Sequence, residues 1–86
     1  MLAVGTRVRY HHNGTDFLGR VCRDEDTAIE RGEPYVAYDN PNHVPVRLDK
    51  FLPDQDHYLC WRCFIRMVTP AVVYKVVGNE LVMEEQ

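Results

Sequence analysis

The segment HYLCWRCF at residues 57–64 contains the side chains best suited to metal chemistry, because Cys60 and Cys63 stand three positions apart and His57 precedes them. A structural zinc site needs four converging ligands, and a Cys-x-x-Cys pair converges when a tight turn joins the two thiols. The intervening tryptophan and arginine do not form turns. An extended segment instead points the two cysteines to opposite faces, and free cysteine is commonly buried. We therefore expect a core strand and no cofactor; a small zinc-binding protein with Cys60, Cys63 and His57 as ligands is an alternative.

The extended interpretation divides this segment into two faces. One face would carry Leu59, Trp61, Cys63, Ile65 and Met67, and the other Tyr58, Cys60, Arg62, Phe64 and Arg66. A thioredoxin-like redox pair would need a βαβ setting that the sequence does not predict. The sequence contains no phosphate-binding glycine loop and no serine nucleophile elbow. It therefore predicts a protein that is not an enzyme.

Composition limits the remaining classes. The chain has 86 residues, a hydrophobic share of 45% and a formal net charge of -3, which fit one folded domain over residues 1–86. This charge does not support nucleic-acid binding, which depends on a positive field. Three cysteines form an odd set that favours reduced thiols. We find no signal peptide and no apolar run long enough for a membrane span, so we expect a cytoplasmic protein with no membrane association.

Turn signals and alternating patterns predict mostly β-strands. Val4, Thr6, Val8 and Tyr10 alternate with arginines, and Asn13-Gly14 is a two-residue hairpin signal. Gly19 in the second strand marks a bend or a close backbone approach. YVAYDN at 35–40 is also strand-like, and Gly78-Asn79 predicts a second hairpin near the C-terminus.

Two details of the middle of the chain are predicted from residue chemistry. Thr27 and Glu30 have capping-box spacing before Gly32, which indicates one helical turn within the acidic segment. Pro45 has no backbone donor, which favours an edge position or an irregular start of its strand. Short strands with little helical periodicity indicate an all-β fold, a small barrel or roll with an added C-terminal hairpin.

The stretches VGTRVRY, FLGRVCRDED, YVAYDN and VPVRLDKFLP, in that order, resemble the small SH3-like barrels of the Tudor and KOW type. The likeness covers residues 3–53, and residues 57–84 are expected to add further strands. Some Tudor-like barrels hold a methylated cation in an aromatic cage with a carboxylate. The resemblance therefore suggests a cage from Tyr10, Phe17, Tyr35, Tyr38 and Phe51 with Asp39, although core packing is the competing explanation of these rings.

The expected function is a protein-binding module, a small regulator or inhibitor such as bacteriophages encode, that docks on a larger protein machine. Its predicted contact residues are aromatic and acidic: Tyr10, Phe17, Tyr35, Tyr38, Asp24, Glu25, Asp26, Glu30 and Glu33. Exposed edges of the C-terminal strands also allow a homodimer. The alternative is a nucleic-acid-binding barrel that uses Arg7, Arg9, Arg20, Arg23 and Arg47, if these gather on one face.

Overall fold

The computed structural model describes residues 2–37 and 40–84. In these residues the chain forms a five-stranded antiparallel sheet, a separate two-stranded sheet, one α-helix and one 3-10 turn. The elements in chain order are β1 (Arg7–His12), β2 (Thr15–Val21), α1 (Asp24–Arg31), β3 (His43–Leu48), β4 (Cys60–Phe64), the 3-10 turn (Ile65–Met67), β5 (Val68–Pro70), β6 (Tyr74–Val77) and β7 (Glu80–Met83). The predicted all-β fold with an added C-terminal hairpin is confirmed.

The larger sheet has the strand order β4-β3-β2-β1-β5, so its two edge strands are consecutive in the chain. Only the 3-10 turn joins them. In a flat sheet the outer strands would lie about 19 Å apart at ~4.8 Å per strand. Three 3-10 residues span only about 6 Å. The sheet must therefore curl until its edges approach each other at this turn. Strands β4 and β5 come from residues 57–84, so the sheet extends beyond residues 3–53, and only β6 and β7 stand apart from it.

Both hairpins form where the turn residues predict them. Asn13 and Gly14 have φ values of 49° and 78°, which are the positive values that a two-residue primed turn requires. They join β1 to β2 with His12 opposite Thr15. Gly78 has φ 62°, and it joins β6 to β7 with Val77 opposite Glu80.

The core lies on the concave face of the curled sheet. Its most completely buried apolar side chains include Val8, Val46 and Leu48, one from β1 and two from β3. Gly19 faces this core from β2, and a β-carbon there would lie 2.6 Å from the carbonyl oxygen of Arg47. The predicted close backbone approach at Gly19 is confirmed, because only a residue without a side chain lets β2 and β3 come this close.

Helix α1 is longer than predicted, and its capping differs. It spans eight residues and ends at Gly32, which has the left-handed φ of 66° expected of a C-terminal glycine. At the start of the helix, the Asp26 carboxylate accepts a hydrogen bond from the backbone N–H of Arg23 at 2.9 Å, so the predicted capping pair of Thr27 and Glu30 is wrong. Thr27 instead donates its hydroxyl to the carbonyl oxygen of Asp24 within the helix.

Two strand predictions need correction. Residues 33–37 contain no strand, so the strand predicted at 35–40 is wrong over Tyr35–Ala37, while Tyr38 and Asp39 lie outside the described residues. A β-rich sequence forms a strand only where a neighbouring strand pairs with it, and residues 33–37 pair with none of the described strands. Pro45 lies in β3, which is an interior strand, so an edge position is also wrong. The carbonyl of Pro45 accepts a hydrogen bond from the backbone N–H of Cys22, just after the end of β2. The N–H group that proline lacks would point toward this same end of β2.

Candidate functional site

The cysteine and histidine set of residues 57–63 does not come together. Cys60 and Cys63 are 1% and 2% exposed and lie on opposite faces of β4, with Cys63 in the core and Cys60 across from Arg47 on the outer face. His57 lies in an exposed turn beside Asp56. Within residues 2–37 and 40–84, no group of three or more ligand-type side chains has a geometry suited to a metal ion. The extended form predicted for the segment is correct over β4, but the 3-10 turn ends the alternation at Phe64.

Burial also makes the three thiols poor nucleophiles and poor metal ligands. It raises the pKa of the Cys63 thiol to about 12, and burial, assisted by the nearby Cys60, raises the pKa of Cys22 to about 12. Burial likewise raises the pKa of Cys60. A nucleophile or a zinc ligand must be a thiolate, which is favoured by a lowered pKa. These three thiols are therefore protonated packing groups at neutral pH.

The arginines of the nucleic-acid alternative gather partly on one face. Arg7 lies opposite Arg20, and Arg20 lies opposite Arg47, so the three form a row across β1, β2 and β3 on the outer face. Like charges placed directly opposite each other are destabilising, so the row needs carboxylates beside it. It has them: Asp49 lies 2.8 Å from Arg7, Glu84 lies 3.2 Å from Arg20, and Glu30 lies 3.3 Å from Arg47.

The two remaining arginines of that set are paired as well. Arg9 lies 3.9 Å from Asp16, and Arg23 lies 3.1 Å from Asp26. Each of the five predicted phosphate contacts is therefore already beside a carboxylate of the same chain. A phosphate backbone would have to compete with these internal carboxylates, which weakens the counterion release that drives such binding.

Most carboxylates of the acidic segment form hydrogen bonds or ion pairs within the protein. Asp24 binds Arg62 through both carboxylate oxygens, at 2.7 and 3.2 Å. A hydrogen bond from the backbone of Arg23 lowers the pKa of Asp26. Glu30 forms hydrogen bonds with the start of β4. Glu25 and Glu33 have the weakest contacts of the predicted set, since Glu25 lies 4.0 Å from Arg23 and Glu33 is exposed.

Glu30 is the anchor of helix α1 on the sheet. One carboxylate oxygen accepts hydrogen bonds from the backbone N–H groups of Leu59 and Cys60, at 2.6 and 3.1 Å. The other oxygen lies 3.3 Å from Arg47, and the side chain is only 19% exposed. Glu30 thereby fixes the start of β4, so its carboxylate is used inside the fold.

The aromatic residues of the predicted cage fall into different places. Tyr10 and Phe17 lie opposite each other in β1 and β2, with His12 stacked on Tyr10 at a centroid distance of 5.4 Å. Tyr35 lies on the outside beside helix α1, next to Asp24. Phe51 is half exposed in the loop after β3. Tyr38 and Asp39 lie outside the described residues, so the described rings do not surround one cation site.

A chain of hydrogen bonds that the sequence analysis missed crosses the outer face. His11 bonds to Asp16 through Nδ1 and to Thr69 Oγ1 through Nε2, at 3.1 Å for the threonine. The order of groups matches an acid, base and nucleophile triad. An acyl-transfer site also needs N–H donors that converge near the nucleophile. Thr69 lies within a regular strand opposite Arg9, where the neighbouring N–H groups point along the sheet. We interpret this series of hydrogen bonds as a structural link that holds β2, β1 and β5 together.

The most unusual surface lies on the hairpin of β6 and β7. Tyr74 pairs with Met83 and Val76 with Leu81, so these four side chains share one face, which we call the apolar hairpin face. The four are 60%, 58%, 71% and 72% exposed, respectively. The opposite side, the back face, carries Lys75, Val77, Glu80 and Val82. A two-stranded hairpin is marginal alone, and this one leaves its entirely apolar side in water.

The base of the hairpin is attached to the sheet by charge. Glu84 follows β7, and its backbone N–H donates to the carbonyl of Val73 at 2.7 Å. Its carboxylate lies 3.2 Å from Arg20 and 3.7 Å from Arg7. Ala71, before β6, is buried. The hairpin is therefore anchored at its base while its strands project.

The sequence did contain a signal for this surface. In YKVVGNELVM a two-residue turn at Gly78-Asn79 fixes the register, which places Val76 opposite Leu81 and Tyr74 opposite Met83. This register predicts that one side of the hairpin is entirely apolar. The Gly78-Asn79 signal thus predicts both the hairpin and its apolar side, of which only the hairpin was predicted above.

Comparisons with protein-family models, with curated proteins and with solved structures found no match to this chain. Over the described residues, no helix has the length and apolar character needed to cross a membrane.

Proposed function

We propose that this protein is a non-enzymatic protein-binding module: a small curled sheet that holds an apolar hairpin for docking on a larger protein. The observation that carries the proposal is the apolar hairpin face, whose four side chains are each more than half exposed. Complete burial of such a side chain contributes about 1.5–3 kcal/mol, so covering these partly exposed ones contributes roughly 1–2 kcal/mol each. A protein surface that covers all four gains a substantial part of a specific binding energy.

We also propose that the five-stranded sheet is an SH3-like barrel, as the resemblance to Tudor and KOW domains suggests. The strand order β4-β3-β2-β1-β5 and the 3-10 turn between its two edge strands support this assignment. A small barrel of this kind offers a rigid support for loops and appended elements that bind. The hairpin of β6 and β7 is such an appended element.

A role as a regulator or inhibitor of a larger assembly fits the same features. The module offers a compact support, an exposed docking element and thiols that burial keeps protonated. Nucleic-acid binding has less support, because the five arginines of that alternative are paired with carboxylates of the chain. We therefore propose a protein partner.

The test compares what three forms of the chain retain from a lysate of the cells that express it. The face variant, Val76→Lys with Leu81→Glu, places opposite charges directly across from each other, so the hairpin keeps a favourable pair while the apolar surface is lost. The back-face variant, Val77→Lys with Val82→Glu, makes changes of the same type on the other side, opposite Glu80 and Lys75.

We expect the wild type and the back-face variant to retain a common protein that the face variant loses by about tenfold or more, which corresponds to ~1.4 kcal/mol. The retained proteins are quantified by mass spectrometry, and circular dichroism verifies that the variants fold. Equal retention by all three forms would show that the hairpin is not the docking surface.

A further inference from the structure

We propose that in the free protein the apolar hairpin face is covered by a second copy of the chain, packed face to face about a two-fold axis. This inference rests on the proposed function, because it names the protein that covers the same face. The dimer would protect the docking surface until a partner competes for it.

The chemistry of the face is compatible with itself. Tyr74, Val76, Leu81 and Met83 carry no charge, so two copies can meet without opposing like charges. The charged side chains of the hairpin, Lys75 and Glu80, both lie on the back face. A two-fold dimer brings the same patch of each copy together, and an uncharged apolar patch satisfies that requirement without further adaptation.

The face, rather than the strand edges, is the surface that a second copy covers. Pairing through a strand edge would extend the sheet sideways and leave both apolar faces exposed to water. Packing two hairpins face to face at a separation of about 10 Å would enclose the four apolar side chains of each copy between them. Face-to-face packing therefore removes the exposed apolar surface, and edge pairing does not.

The shape of the molecule gives a second copy access to the hairpin. The chain measures 47 × 28 × 24 Å, and its radius of gyration of 14.0 Å exceeds the value of about 12 Å expected for a compact chain of this length. Every residue of β6 and β7 is exposed, so the hairpin extends beyond the packed sheet. Two such hairpins can meet while the curled sheets remain apart.

The area predicts a weak dimer. The four side chains expose roughly 400–500 Å² per copy if each contributes on the order of 100 Å². A face-to-face pair would then bury about 800–1,000 Å² in total, which is below the roughly 1,200–2,000 Å² of stable specific interfaces and in the range of weak, transient ones. We expect a dissociation constant of about 1–100 μM, a range that suits an assembly in exchange with other partners.

Sedimentation velocity from 1 μM upwards to several hundred μM tests the assembly, using the face variant and the back-face variant defined above. We expect the wild type and the back-face variant to change from monomer to dimer over the same concentrations. The face variant should need concentrations at least about tenfold higher than the wild type to form the same fraction of dimer. Dimerisation of the face variant with unchanged affinity would overturn the proposed location.

Cross-linking separates face packing from edge pairing. Single substitutions Val76→Cys and Val77→Cys place a thiol on the apolar face or on the back face, and the native thiols are buried. Mild oxidation with oxidised glutathione joins two such thiols, which lose two protons and two electrons to the oxidant. Face-to-face packing predicts a linked dimer for Val76→Cys only, whereas equal linking of both substitutions would overturn it.

The failure of this inference is distinguishable from failure of the proposed function. A wild type that stays monomeric throughout, yet retains a lysate protein that the face variant loses, would overturn the second copy while leaving the docking function intact. A monomer that also retains no protein in a face-dependent manner would overturn both.

Discussion

Replacing Glu30 by alanine provides a sharp test of the assignment of the acidic segment. If Glu30 anchors α1 to β4, removing its carboxylate leaves the N–H groups of Leu59 and Cys60 without their acceptor. An unsatisfied buried donor costs about 1–3 kcal/mol. The pair with Arg47 adds little, because Arg47 is more than half exposed. We therefore expect Glu30→Ala to lower the free energy of unfolding by about 2–4 kcal/mol.

Urea unfolding followed by tryptophan fluorescence measures this loss, since Trp61 lies in the affected strand. With an m-value of about 1–1.5 kcal/mol per M for a chain of this size, the midpoint falls by roughly 2 M. Amide hydrogen exchange at Leu59 and Cys60 should accelerate as well, because the acceptor that protects these two groups is absent.

Two matched variants separate anchoring from general loss of acidic charge. Glu30→Gln keeps a carbonyl oxygen that accepts the same two bonds, so it should cost about 1 kcal/mol or less. Glu33→Ala removes an exposed carboxylate from the end of the same segment and should change stability by less than about 0.5 kcal/mol. If Glu30→Ala behaves like Glu33→Ala, the anchoring role is refuted and a surface role for Glu30 is restored.

Three further predictions concern other parts of the fold. Gly19→Ala places a β-carbon 2.6 Å from the Arg47 carbonyl, so we expect a loss of about 1–3 kcal/mol in thermal or urea unfolding, and an unchanged midpoint would disprove the close approach. The pKa of Asp26 is below its usual 3.8, so the stabilisation that its carboxylate gives is present above pH 3.8 and is lost as the pH falls through the lowered pKa of the folded protein. In acid unfolding, wild type should be more stable than Asp26→Asn by a few tenths of a kcal/mol above pH 3.8, and this difference should disappear at lower pH. A difference that is constant with pH would show that Arg23 does not hold the carboxylate. Alkylation with iodoacetamide at pH 8 should be slow in native protein and fast in urea, and rapid native labelling would contradict the burial of the thiols of Cys22, Cys60 and Cys63.

The features that the sequence predicts well depend on neighbouring residues. Asn13-Gly14 and Gly78-Asn79 determine their turns locally, because a positive φ is accessible to glycine and asparagine and the strands on each side need only continue. The same holds for the end of α1 at Gly32. Alternation within β4 was sufficient to place Cys60 and Cys63 on opposite faces.

The features that it predicts poorly depend on residues far apart in the chain. Asp24 and Glu30 look like an exposed acidic surface, yet their partners Arg62 and the start of β4 lie about thirty or more positions away. No local pattern contains that pairing. The strand predicted at 35–40 failed over Tyr35–Ala37 for the same reason, since a strand needs a free edge that only the tertiary structure supplies.

The arginine row and the hairpin are parts of one arrangement. Arg7 and Arg20 stand side by side on the outer face, where their mutual repulsion would destabilise the sheet if no carboxylate lay between them. Glu84 supplies such a carboxylate, and it is also the residue that directly follows β7. The contacts of Glu84 with Arg20 and Arg7 therefore also hold the base of the hairpin against the sheet. Two of the five arginines that suggested nucleic-acid binding, Arg7 and Arg20, thus help to hold in place the apolar surface that we propose binds protein.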